Sequence, residues 1–127
     1  MTIKMSTIIA LKGVCENLKS QKTSIKTAYR ISKILNTIEK EFTFYQTKFA
    51  EIINEYAEKD ENGQPILIND GQGVKIDPSR LMEAQTKLTE LEGLEVKIES
   101  NLTIDELEGL EISISDMQYL SYLLVDA

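Results

Sequence analysis

Histidine and tryptophan are missing from this 127-residue chain, cysteine occurs once, proline twice and glycine six times. Without histidine there is no Ser/His/Asp or Cys/His catalytic unit, no HExxH zinc helix, and no side chain whose ordinary pKa lies near neutrality. Much of hydrolase chemistry is excluded on that ground alone. The single cysteine, Cys15, has no partner for an intramolecular disulfide. It falls among Leu11, Val14 and Leu18 on an apolar helix face, so it reads as a small buried hydrophobe rather than a reactive thiol. No segment reaches the ~20 apolar residues of a membrane span, and the N-terminus lacks an apolar run ending in a small-residue cleavage site. The expectation is a soluble cytoplasmic protein, in the host cytoplasm or in a virion if phage-encoded.

What the chain does have is a heptad seam. Ile31, Leu35, Ile38, Phe42, Tyr45, Phe49, Ile52 and Tyr56 alternate four and three residues apart without interruption, and Ile25 and Ala28 extend the line toward the N-terminus. A helix from Thr23 to Lys59 would be roughly 55 Å long at 1.5 Å per residue, against a radius of gyration near 14 Å for a compact chain of this length. Such a helix needs partners along its length. The stretch from Ile34 to Phe44 is the part that flanking segments are expected to cover least, so the residues from Ile31 to Phe49 form a candidate seam for self-association, most simply as a dimer.

Around the seam, local signals place the other elements. Thr2 to Met5 predicts a short strand and Ser6 the N-cap of a helix through Lys19. Residues 6–59 read as one helix or two. The apolar phase slips after Leu18, which favours a break at Ser20 to Lys22. Asp60-Glu61-Asn62-Gly63 ends the long helix, and Ile66-Leu67-Ile68 and Val74-Lys75-Ile76 flank a five-residue Gly-containing loop, the pattern of a β-hairpin. Asp77 and Pro78 open a helix closed by Gly93. The motif Glu-Leu-Glu-Gly-Leu-Glu then occurs twice, at 90–95 and 106–111, each copy leading into an alternating segment that predicts a strand, and the two strands can pair with each other or with the N-terminal strand. Thr103 and Glu106 form a capping-box pattern. Ser115 or Asp116 is expected to cap a last helix from Met117 to Leu124. The fold class is therefore α+β and mostly α: a long heptad-patterned helix, flanking shorter helices, a β-hairpin and a small C-terminal sheet. The chain reads as a single elongated domain, with an N-terminal strand and helix in 1–22, helix, hairpin and helix in 23–92, and a strand pair with a terminal helix in 93–127.

Charge is unevenly distributed. Residues 1–48 carry nine basic and three acidic side chains, giving +6, and the remainder carries five basic and eighteen acidic, giving −13. If the helices are continuous, Lys12, Lys19, Lys22, Lys26, Arg30, Lys33 and Lys40 form a stripe opposite the seam. Its core, Lys19, Lys22, Lys26, Arg30 and Lys33, is the candidate basic face. It is either a solvent-facing polar surface or a site for phosphates or an acidic partner, while the acidic remainder argues against nucleic acid. Pairs such as Glu92/Glu95 or Glu108/Glu111 have no His or Cys beside them and read as surface. No catalytic residue, metal site or cofactor is expected.

Glu55-Tyr56-Ala57-Glu58-Lys59-Asp60-Glu61-Asn62-Gly63 leading into the hairpin, Glu90-Leu91-Glu92 before Val96-Lys97-Ile98, and Ser115-Asp116-Met117 before Leu120 together resemble small phage and prophage proteins with a helix, hairpin, helix layout. The layout is also similar to prefoldin subunits, although the second helix is too short to match the first. The phage resemblance implies a non-enzymatic protein acting through protein contacts, as a virion or assembly accessory or as an inhibitor of a host or defence protein. The alternative reading is an oligomeric module that holds an anionic nucleotide or other phosphate ligand on the basic face.

Overall fold

A computed structural model describes residues 1–125; residues 126 and 127, the end of the predicted C-terminal segment, lie outside the described residues. The fold is mostly helical α+β, with four α-helices and two small two-stranded antiparallel sheets among the described residues. The chain forms two compact units. One combines Met1–Thr43 with the chain from Leu94 onward, and the other is Phe44–Gly93. The long helix α2, Ile25–Tyr56, contributes to both.

In the first unit, strand β1 (Thr2–Lys4) runs directly into helix α1 (Met5–Leu18). The predicted N-cap, Ser6, is corrected to Lys4, which offers no side-chain cap. The Met5 N–H instead donates to the Leu94 carbonyl at 2.8 Å, so the sheet satisfies a donor that a cap would otherwise serve. Strand β1 pairs with a strand at Glu95–Lys97, and Ile3 lies opposite Val96, both buried. Met5, Ile8, Leu11, Val14, Cys15 and Leu18 recur every three or four residues and bury one stripe of α1. The break expected at Ser20 to Lys22 is present. Helix α1 stops at Leu18, and Ser24 opens α2, its carbonyl accepting from the Ala28 N–H at 2.9 Å and its Oγ from the Thr27 N–H at 3.3 Å. Within this unit Ile34, Leu35 and Ile38 of α2 are buried. This corrects the expectation of poor cover for Ile34 to Ile38, while toward the other end of that stretch Phe42 is half-buried and Phe44 exposed. The N-terminal extension of the seam fails too, because Ile25 is 90% exposed.

The two Glu-Leu-Glu-Gly-Leu-Glu copies fold differently. The first ends a helix and leads into the strand that pairs with β1. After the second, no strand forms: Gly109 sits at φ +88°, and the Glu111 backbone exchanges two hydrogen bonds with the Gln21 side chain, N–H to Oε1 at 2.8 Å and Nε2 to carbonyl at 2.9 Å. One polar side chain replaces the neighbouring strand, so the expected second C-terminal strand is absent, and of the two pairings open to the first the structure takes the one with the N-terminal strand. The last helix starts earlier than predicted, at Ile114–Leu120, because Ser113 caps it through the Asp116 N–H at 3.0 Å; a 3-10 turn at Ser121–Leu123 follows. Leu120 and Leu123 are buried, and this helix packs on α1.

In the second unit the end of α2 is followed by the hairpin β2 (Leu67–Ile68) and β3 (Gly73–Val74), as the turn chemistry predicts. Asn69, Asp70 and Gly71 all take positive φ in its loop. The residues just after α2 are clasped at the hairpin's base, since the Glu58 N–H donates to the Lys75 carbonyl while the Glu58 carbonyl accepts from the Ile66 N–H. Asp77 accepts from the Ser79 N–H and hydroxyl, Pro78 takes the first position of a 3-10 turn, and helix α3 (Leu81–Glu92) ends at Gly93. The Arg80 guanidinium stacks 4.3 Å above the Tyr56 ring, at one end of α3, whereas the Glu92 carboxylate acts on Tyr45 from the other. Helix α3 therefore runs back antiparallel along the end of α2. In chain order, strand Glu95–Lys97 is β4 and helix Ile114–Leu120 is α4.

Candidate functional site

The basic face does not survive as one stripe, because Lys19 and Lys22 fall in the break between α1 and α2, leaving Lys26, Arg30 and Lys33 on α2, and several of its charges are engaged. Lys19 meets Glu39 at 2.6 Å and Glu16 at 3.4 Å. Its ammonium is held above the usual lysine range, chiefly by the bond to Glu39. Arg30 donates to Glu106 Oε1 at 2.6 Å and to the Asn101 carbonyl at 3.3 Å. The same Glu106 oxygen accepts from the Thr103 N–H and hydroxyl, completing the capping box that the sequence predicts. Burial by itself would raise the Glu106 carboxyl; the bonds from Arg30 and Thr103 outweigh it and hold the group below its ordinary range. Lys33 lies 5.5 Å from the centre of the Tyr29 ring. Lys22 and Lys26 are exposed. Lys26 and Arg30 do line an open hollow of about 600 Å³, but Asp105, Glu106 and Glu108 line it with them. Carboxylates so close to the same space oppose an anion there.

The lone thiol is closed to chemistry as the sequence suggests. Cys15 is buried, and burial pushes its pKa up to about 11, with Glu16 and Glu39 adding to the shift.

The interaction seam divides. Leu35 and Ile38 are core, and Ile31 is half-buried. Phe42 is also half-buried, with the Lys12 ammonium 5.7 Å from its ring centre. Tyr45 is half-buried in the second unit, where burial and then the Glu92 carboxylate raise its phenol above the usual range. Phe49 is 38% exposed, its ring 5.8 Å from that of Tyr45.

The open apolar surface of the second unit lies beside the predicted seam. Phe49, Ala50, Ile53 and Asn54 fall within roughly 140° of one another around α2. Together with Gly73 and Val74 of β3 they border a groove of about 630 Å³. Leu67, 60% exposed, is the direct cross-strand partner of Val74. Directly opposed residues present their side chains on the same face of a hairpin, so Leu67 continues the apolar surface outward. Of these residues, the heptad line picks out Phe49 alone. The overlooked signal is charge: between Phe44 and Tyr56 the charged residues of α2 are Lys48, Glu51 and Glu55, and all three project from one sector about 60° wide, on the side away from the groove.

A third exposed feature belongs to the first unit. Ile25 and Tyr29, one turn apart at the start of α2, are 90% and 64% exposed. No helix among the described residues is long and apolar enough to cross a membrane. Comparison with known proteins finds no family model, no curated protein and no solved structure that matches the chain.

Proposed function

We propose that this is a non-enzymatic phage or prophage protein that acts in the host cytoplasm or in the virion through protein contacts, as an assembly accessory or as an inhibitor of a host or defence protein. The phage assignment rests on the resemblance of the helix, hairpin, helix layout. The contact mechanism rests on one observation, the Ile25 and Tyr29 stripe, where two large apolar side chains one helical turn apart stand in water. Side chains at i and i+4 share a helix face, and an aromatic and a branched aliphatic side by side make an anchor of the size that protein interfaces bury. Lys22, Lys26 and Lys33 surround the stripe in sequence, which suits a partner surface of acidic character. Self-association belongs to the same reading.

The phosphate-binding alternative draws no support from the geometry, given Arg30 on Glu106 and three acids beside the hollow. Affinity capture from infected and uninfected host lysate tests the proposal. Wild-type protein should retain a defined protein partner that Ile25→Asp with Tyr29→Ala releases. A retained nucleotide without a protein would overturn it.

A further inference from the structure

We infer that the apolar and basic start of α2 docks on the apolar and acidic surface around the 3-10 turn Ile104–Leu107 of a second copy of this chain, reciprocally about a two-fold axis. The inference rests on the proposal that the protein works through contacts, and deepens it by naming the surface that meets the Ile25 and Tyr29 stripe. That surface is a recess of about 400 Å³ whose apolar wall is Ile104, Leu107, Ile112 and Met117 and whose charged border is Asp105 and Glu108. Ile104 stands 62% exposed at its edge. The recess is the converse of the stripe, which sets Ile25 and Tyr29 beside Lys22, Lys26 and Lys33. Laid together, apolar side chains meet apolar side chains and ammonium groups meet carboxylates.

The placement of the charges selects the occupant. Both surfaces belong to the first unit and flank the open hollow of about 600 Å³. Lys26 borders that hollow from α2, and Asp105 and Glu108 border it from the other side while also bordering the recess. Across the hollow Arg30 pairs with Glu106, whereas Lys26, Asp105 and Glu108 enter no ion pair among the described residues. Each copy thus holds an unpaired cation on one side of the hollow and two unpaired anions on the other. An acidic protein drawn to Lys26 would meet Asp105 and Glu108 next to it, and a basic protein drawn to those carboxylates would meet Lys26. A two-fold axis through the hollow exchanges its sides, so Lys26 of each copy faces Asp105 and Glu108 of the other, and each stripe faces a recess. A second copy satisfies both signs at once.

Sedimentation of the full chain at low ionic strength, across micromolar to high-micromolar concentration, tests the inference. Wild type should dimerise reversibly. Lys26→Glu sets carboxylate against carboxylate at both contacts and Glu108→Lys sets ammonium against ammonium, so each should raise the dissociation constant about tenfold or more. Mixed together, the two variants should form a one-to-one heterodimer, because the new carboxylate of the first faces the new ammonium of the second while the unaltered Lys26 and Glu108 face each other. Lys26 and Glu108 are exposed, so circular dichroism should show both variants folded. Tyr29→Ala, at a 64% exposed position, removes apolar contact without altering charge and should weaken the dimer too. A wild-type monomer at high micromolar concentration overturns the inference even where capture from lysate returns another protein, a result that would leave the proposed function standing. A dimer indifferent to all three variants overturns it as well, and so does a failure of the mixture to restore association. Rescue in the mixture supports it whatever the capture experiment returns.

Discussion

A lysine or arginine on the polar side of a helix is charged whatever surrounds it; what decides its role is whether that charge is already engaged. Arg30 is engaged. Its guanidinium fixes Glu106, which in turn accepts from the N–H and hydroxyl of Thr103, the N-cap of the 3-10 turn at Ile104–Leu107. Glu106 has a depressed pKa in the folded chain, so its contribution to stability is fully present above the ordinary carboxyl value of 4.5 and is lost as pH falls through the lower folded value. Arg30→Leu should therefore lower the thermal midpoint at neutral pH and show less further loss on acidification below pH 4.5 than wild type does. Parallel acid melts of the two chains check this, and equal acid sensitivity would remove Arg30 as the cause. The apolar core makes a different demand. Ile38 is fully buried, so Ile38→Ala removes packed methyl groups and leaves a cavity, with an expected loss of about 2–5 kcal/mol in urea unfolding. Phe49→Ala, at a half-open position, should cost clearly less.

Elements were legible in the sequence where their causes are local. The hairpin follows from a Gly-containing loop between two apolar runs, the start of α3 from Asp77-Pro78, and the interruption before α2 from a slip in apolar phase. Reading failed where the cause lies far along the chain. Two copies of one six-residue motif become different structures because β1 stands beside the first and Gln21 beside the second. The helix start at Met5 depends on Leu94, and the cover over Ile34 to Ile38 comes from elements that no heptad count can locate. The groove escaped notice for a related reason, since half of its wall comes from the hairpin. Local causes yield sharp tests. Ser24→Ala removes the oxygen that accepts from the Thr27 N–H, and should destabilise the chain by about 0.5–2 kcal/mol. Gly71→Ala meets no atom within 4 Å but must hold φ near +88°, so its cost, about 1–2 kcal/mol, is backbone strain alone. Denaturant titration of both variants supplies the measurement; a neutral Gly71→Ala would mean that the loop relaxes to another turn.

For the whole molecule, association through charge and association through exposed apolar side chains make opposite demands on solution conditions. Attraction between the basic residues 1–48 of one copy and the acidic remainder of another would hold copies together through exposed charges, and salt would loosen it as the screening length shrinks from about 30 Å at 0.01 M to about 3 Å at 1 M. A dimer joined through apolar side chains has no such attraction to lose. What opposes it is the repulsion of two chains of net charge −7, and salt screens that repulsion. Its dissociation constant should accordingly fall, or stay level, as salt is raised. Sedimentation equilibrium at low and high sodium chloride separates the two cases directly. Dissociation on adding salt would assign the association to the charged halves of the chain and take it away from apolar contact.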